Sequence, residues 1–307
     1  MKLILPKPRG FCAGVVRAIE TVEEALRIWG APIYVKHQIV HNRHVVKRLE
    51  DKGAIFIEDL DLVPIGSRVI YSAHGIAPSV REHARRRKLI EIDATCSLVT
   101  RVHSAAIRFA DKGYYIILIG HKNHVETIGT AGEVPDKTTI VETVEDVKAL
   151  PFSQQDKLFY ITQTTLSLDD VKEIAMALTE RYPQIETLPS SSICYATTNR
   201  QLAIKEVIAH VDLVLVVGDP SSSNSQRLRE VASNRGVNAY LINTPEEIQE
   251  SWLQGVLSIG LTAGASTPED IVQECIKRLV ALGVQEIEEV EISKEEVFFQ
   301  LPKQVLV

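Results

Sequence analysis

The chain has 307 residues, 45% of them apolar and 24% charged, with a formal net charge of −6. That length suits two or three domains of about 100–150 residues, and the acidic balance argues against nonspecific nucleic-acid binding or a cationic membrane-surface patch. No apolar run reaches the roughly 18 residues of a membrane span, the opening Met1–Pro8 has no signal-peptide core, and four cysteines are too few for a disulfide framework, so a cytoplasmic (or plastid-like stromal) setting is expected.

Along the chain a threefold echo is visible. Gly10-Phe11-Cys12-Ala13-Gly14-Val15-Val16-Arg17 is followed by Asp93-Ala94-Thr95-Cys96-Ser97-Leu98-Val99-Thr100-Arg101, and then by Ser192-Ile193-Cys194-Tyr195-Ala196-Thr197-Thr198-Asn199-Arg200. Each cysteine precedes a segment with helical apolar spacing, as Val15, Ala18, Ile19 and Val22 show. Next comes a strand-like run that enters a polar loop: 33–40 into His41-Asn42-Arg43-His44, 115–119 into Gly120–Glu126, and 213–217 into Gly218–Asn224. His41, His124 and Asn224 follow their cysteines by 29, 28 and 30 residues (41 − 12, 124 − 96, 224 − 194). A second strand-like run leads into a third set of loops: Ala73-His74-Gly75, Thr162-Gln163-Thr164-Thr165 and Thr262-Ala263-Gly264-Ala265-Ser266. Helix starts follow at Pro78, Ser167 and Ser266-Thr267-Pro268, where a hydroxyl or proline precedes acidic residues.

Strand, polar loop and helix in repetition predict βαβ units with mostly parallel sheets, their loops at the carboxyl ends of the strands. The expected organisation is three similar small α/β units, 13–95 (with the N-terminal strand 1–12), 96–193 and 194–281, in a pseudo-threefold trefoil around a common centre. The acidic, valine-containing tail 282–307 is expected to form an added strand or strap. The basic run His83–Lys88 reads as a solvated helix face.

Three cysteines at equivalent repeat positions either converge on one metal site or serve as separate core residues. The chain has no CxxC, so spacing does not choose between the two. Thiolates at helix starts suit an iron–sulfur cluster or zinc. Cys275, on the apolar face of a predicted helix, reads as core. The polar loops offer His41, His74, His124, Ser222, Asn224 and Ser266, neutral or switchable donors able to wrap phosphate oxygens. No Walker-type phosphate loop is present, which disfavours nucleoside triphosphates. His37, His44, His83, His103 and His210 read as surface or satisfied histidines. On an extended segment His124 and Glu126 would share one side, with Thr164 a hydroxyl relay for proton delivery.

Taken together, GFCAG (10–14), IVHNRH (39–44), SAHG (72–75), DATCSLVTRV (93–102), Gly120–Glu126, TQTTLS (162–167), ICYATTNRQ (193–201), SSNS (222–225) and TAGAS (262–266) resemble the 4-hydroxy-3-methylbut-2-enyl diphosphate reductase family over nearly the whole chain. The resemblance implies one [4Fe–4S] cluster at the centre of the trefoil, with Cys12, Cys96 and Cys194 as ligands. It implies a diphosphate pocket of His41, His74, His124, Ser222, Ser223, Asn224 and Ser266, with Glu126 as the acid of a proton relay and Thr164 beside the substrate alcohol. The implied reaction is reductive dehydroxylation of an allylic alcohol diphosphate to isopentenyl and dimethylallyl diphosphates, the last step of the non-mevalonate isoprenoid pathway, with a ferredoxin or flavodoxin as electron donor. Two positions depart from the family pattern: Ser97 stands where proline is expected, and Asp219-Pro220-Ser221 where a Ser-Lys-Asn-like stretch is expected. An open-iron hydro-lyase, a non-catalytic cluster sensor and a three-thiolate zinc hydrolase are the rival readings. Only the reductase needs both a reductant and an acid.

Overall fold

The structure, a computed structural model, describes residues 1–306. It begins with β1 (Lys2–Lys7) and α1 (Ala13–Trp29). The chain then forms β2 (Ile33–Lys36), α2 (Arg43–Asp51), β3 (Ala54–Ile57), β4 (Arg68–Tyr71), α3 (Pro78–Arg86) and β5 (Ile90–Asp93). A second pass gives α4 (Ser97–Asp111), β6 (Tyr115–Ile119), α5 (Val125–Ala131), β7 (Thr138–Val141), α6 (Val144–Lys148), β8 (Leu158–Thr162), α7 (Leu168–Arg181) and β9 (Glu186–Thr187). The third gives α8 (Tyr195–Ile208), β10 (Leu213–Val217), α9 (Ser223–Ser233), β11 (Asn238–Ile242), β12 (Ser258–Ala263), α10 (Glu269–Ala281) and β13 (Glu286–Glu291).

These strands form three sheets, ordered β3-β2-β4-β5, β7-β6-β8-β9 and β11-β10-β12-β1-β13. Every pairing between them is parallel. The chain is therefore α/β with three small parallel sheets, and all three share one strand order. The first strand of each repeat lies inside, the second outside it, the third on its other flank and the fourth beyond. Parallel strands covered on both faces read as continuous apolar runs. Accordingly Leu213–Val217 is buried at every position, and Ile116, Ile117, Leu118 and Ile119 are all buried.

One sequence expectation is corrected. The N-terminal strand, grouped with the first unit by chain order, pairs instead with β12 (Leu3 opposite Ile259) and so fills the fourth place of the third sheet. Its buried Leu3 and Leu5 belong to the apolar cluster of that sheet. Within the acidic tail, β13 continues the third sheet as a parallel strand on the open side of β1. The strand-like run 33–40 is also cut short: β2 ends at Lys36, and His37 turns the chain with φ +63°.

The chain divides into two compact units. One, built from Met1–Val16, His41–Val45 and Tyr195–Phe298, holds the five-stranded sheet. The other, built from Arg17–Val40, Val46–Cys194 and residues 299–306, holds both four-stranded sheets. No helix among the described residues is long and apolar enough to cross a membrane.

Candidate active site

The cysteines come first, because the fold treats three of them alike. Cys12, Cys96 and Cys194 each follow the fourth-place strand of a sheet (β1, β5 and β9) and each directly precede a helix (α1, α4 and α8). Their backbone N–H groups make the same bond, to the loop after the neighbouring third-place strand. Cys12 donates to the Ala265 carbonyl (3.2 Å), Cys96 to Ala73 (2.9 Å) and Cys194 to Thr164 (3.0 Å). The three are half-buried and in no disulfide. Cys275 is fully buried among Leu279, Ile271 and their neighbours, and burial, with Glu274, Glu246 and Glu247 nearby, pushes its thiol up to about 12. Partly accessible sulfurs at the first turn of a helix suit thiolate ligation, as in an iron–sulfur protein, whereas a fully buried thiol held in its protonated form does not.

In the unit with two sheets, Glu126 and Thr164 form a closed pair. Thr164 donates its N–H to Glu126 Oε1 (2.6 Å) and its hydroxyl to Oε2 (3.0 Å), with both side chains buried. Burial pushes the Glu126 carboxyl up to about 7, although the two Thr164 bonds and the nearby His103 act to lower it. The extended segment expected at His124–Glu126 is in fact a helix start. His124 is the N-cap of α5 and its Nδ1 accepts the Glu126 N–H (3.2 Å). That bond leaves the His124 proton on Nε2. His74 hydrogen-bonds Ser72 Oγ through Nδ1 (3.1 Å), and its ring meets that of His124 edge-on, centroids 6.1 Å apart. So the structure brings His74, His124, Glu126, Thr164 and the two cysteines 96 and 194 into one compact unit.

In the unit with the five-stranded sheet the same loops carry amides and hydroxyls. Ser222 caps α9 by accepting the Ser225 N–H (3.3 Å), and Ser223 opens that helix. Asn224 Oδ1 accepts the Ala265 N–H (2.8 Å), and Ser266 Oγ donates to the His41 carbonyl (2.9 Å). Asn42 Oδ1 caps α2 through the N–H groups of His44 and Val45. Asp219, where the family pattern leads one to expect a different loop, is 6% exposed and accepts from Ser221 N and Oγ and from Arg43 N and Nε. Burial pushes its carboxyl up, but the bonds from Ser221 and Arg43 outweigh that and hold it below the ordinary value. The departure forms a hydrogen-bonded turn.

Two histidines read as surface or satisfied residues are each satisfied by an acid and also touch the His74–Gly75 turn. His37 stacks edge-on against His74 (centroids 5.8 Å) while its Nδ1 meets Glu58 (2.7 Å). His103, on α4, meets Glu133 through Nδ1 (2.7 Å), and its ring edge lies against Gly75: a Cβ there would come within 3.0 Å of Cε1. Only a residue without Cβ fits that spot, and φ at Gly75 is +79°. A single helical period could not reveal His103, because its partner Glu133 lies beyond α5. His44 and His83 are satisfied as expected, by the Asn243 carbonyl and by Asp61.

Residues 3–280 match the family model described as LytB protein. A 4-hydroxy-3-methylbut-2-enyl diphosphate reductase of Protochlamydia amoebophila (strain UWE25) is 70% identical over 306 residues, covering 100% of this chain and 98% of that protein. The enzyme of that name from Chlamydia pneumoniae is 65% identical, with 99% and 98% covered. The solved E-1-hydroxy-2-methyl-but-2-enyl-4-diphosphate reductase of Plasmodium falciparum superposes with a TM-score of 0.97 at 51% identity, covering 99% of this chain and 96% of that one. Matched along nearly its whole length by the family model and by relatives this similar, the chain belongs to the LytB family.

Proposed function

We propose that the chain reduces (E)-4-hydroxy-3-methylbut-2-enyl diphosphate to isopentenyl and dimethylallyl diphosphates, the terminal step of the non-mevalonate pathway. The likeness to reductases of that name supports the reaction. The observation that carries the chemistry is the buried Glu126–Thr164 pair, an acid poised near neutrality. The ligand set is Cys12, Cys96 and Cys194 around one [4Fe–4S] cluster, supported by their shared position at strand end and helix start.

When bound, that cluster supplies the electrons of the reduction, delivered by a ferredoxin- or flavodoxin-like donor. The chain's own residues do the rest. His41, His74, His124, Ser222, Ser223, Asn224 and Ser266 hold the diphosphate, and its binding energy fixes the alcohol end in place. Protonated Glu126 reverses its bond to Thr164: the carboxyl now donates to Oγ1, and the Thr164 hydroxyl hydrogen is released to point at the substrate hydroxyl. The C–O bond breaks as that oxygen takes the proton and departs as water. Two electrons and a second proton complete the product, so charge and atoms balance. Burial of Glu126 and Thr164 excludes bulk water from the relay.

The test is anaerobic purification with iron and sulfide counting, then single-turnover reduction of the named diphosphate. Turnover without reductant would sink the reductase reading in favour of a lyase. Glu126→Gln is expected to keep iron and diphosphate binding and lose turnover on the order of 10²-fold.

A further inference from the structure

The echo around each cysteine includes an arginine whose place the reaction leaves unexplained. Arg17, Arg101 and Arg200 follow Cys12, Cys96 and Cys194 by 5, 5 and 6 residues (17 − 12, 101 − 96, 200 − 194). They stand in the second turn of α1, α4 and α8. None of the three reaches back to its own cysteine's loop. Arg17 donates through Nη1 to the Thr95 carbonyl (2.9 Å) and through Nη2 to Asp93 (3.4 Å), just ahead of Cys96. Arg101 donates through Nη2 to the Ser191 carbonyl (2.6 Å) and through Nη1 to Ser190 Oγ (3.2 Å), just ahead of Cys194. Arg200 donates through Nε and Nη2 to the Gly10 carbonyl (3.1 and 2.8 Å) and through Nη2 to Phe11 (3.3 Å), just ahead of Cys12. Each of these bonds lies within one compact unit.

We propose that the three arginines form a cyclic positioning relay, in which the helix begun by each cysteine grips the loop that presents the next: Cys12 to Cys96, Cys96 to Cys194, Cys194 to Cys12. This rests on the ligand assignment above. Guanidinium suits the task because its planar fork holds two acceptors at once and stays charged. Carbonyls at a strand end have no ladder partner, so a fixed donor there sets the loop's path. Arg200 is the most committed of the three. Its side chain is fully buried, also bonds the Ala196 carbonyl, and pairs with Glu295 beyond β13. Within its own unit, each arginine fixes one cysteine's loop to the second turn of a helix that another cysteine begins.

The test is residue-resolved and does not depend on turnover. Hydrogen exchange of the full cluster-loaded chain should show Arg17→Met releasing the amides of 93–96, Arg101→Met those of 190–194 and Arg200→Met those of 10–12. Each acceleration should be about tenfold or more, since a bond from a charged donor is lost. After removal of iron, alkylation should speed up at Cys96, Cys194 and Cys12 respectively. A general packing role would instead loosen each arginine's own helix or spread evenly, and either pattern overturns the relay. If buried Arg200→Met fails to fold, Arg200→Lys and the solvent-facing Arg101→Met decide. A wild-type chain that holds no iron or sulfide would defeat the ligand assignment, while the exchange pattern would still report on the arginines.

Discussion

Glu126 and Asn224 occupy the same place in two repeats. Each lies two residues after a helix cap (His124 and Ser222), and each accepts a backbone N–H from the loop that also receives a cysteine's bond, Thr164 for one and Ala265 for the other. Only the carboxyl can carry a proton, so a threefold scaffold acquires one acid by a single side-chain choice. Because its carboxyl titrates near 7, turnover should fall as pH rises through about 7 and Glu126 loses its proton. Stability follows the same sign. The folded value lies above the ordinary glutamate value of 4.5, so the native state binds more protons than the unfolded chain between the two values. That contribution is complete at low pH and lost as pH rises toward 7. Glu126→Gln has no proton to lose and should gain up to about 3 kcal/mol over wild type between about pH 5 and pH 8, read from urea midpoints. At the cysteines, Cys275→Ser should leave the cluster absorbance intact and Cys12→Ser should abolish it. Loss of colour in the Cys275 variant would reverse the ligand assignment.

At the scale of elements, the loops and caps were the legible part. A hydroxyl or proline ahead of acidic residues marked the starts of α3, α7 and α10, and Ser167 does cap α7 by accepting the Asp170 N–H. What could not be read was where an element changes type within a few residues. His124-Val125-Glu126 has no apolar period long enough to separate strand from helix, and only the cap bond decides it. The partners of His37 and His103 are illegible for a different reason, since Glu58 and Glu133 lie 21 and 30 residues away. The His74–Gly75 turn is where such distant contacts meet. Gly75→Ala would force a Cβ against the His103 ring at a left-handed φ, and should cost about 1–3 kcal/mol in urea unfolding. A variant as stable as wild type would show that the ring shifts freely.

At the scale of the molecule, the repeat itself was legible because chemistry-bearing loops recur at near-constant offsets. Membership of the sheets was not, since hydropathy says that a strand is buried but not which strand lies beside it. Leu3 and Leu5 read as apolar wherever β1 sits, and their place beside β12 depends on contacts more than 250 positions along the chain, Leu3 lying opposite Ile259. Leu3→Ala should cost about 2–5 kcal/mol, as for other buried leucines, and should loosen β12 and β13 together in hydrogen exchange. An effect confined to residues near the substitution would show that β1 does not tie the two.

The position of β1 between β12 and β13 also orders events during translation. β1 has no seat until β12 and β13, more than 250 residues further along, have been made, and the bond from Cys12 to Ala265 must wait with it. The two four-stranded sheets need no such delay, as each is built from consecutive stretches of nascent chain. With the three proposed cysteine ligands, cluster loading would therefore wait until β12 and Ala265 have been made.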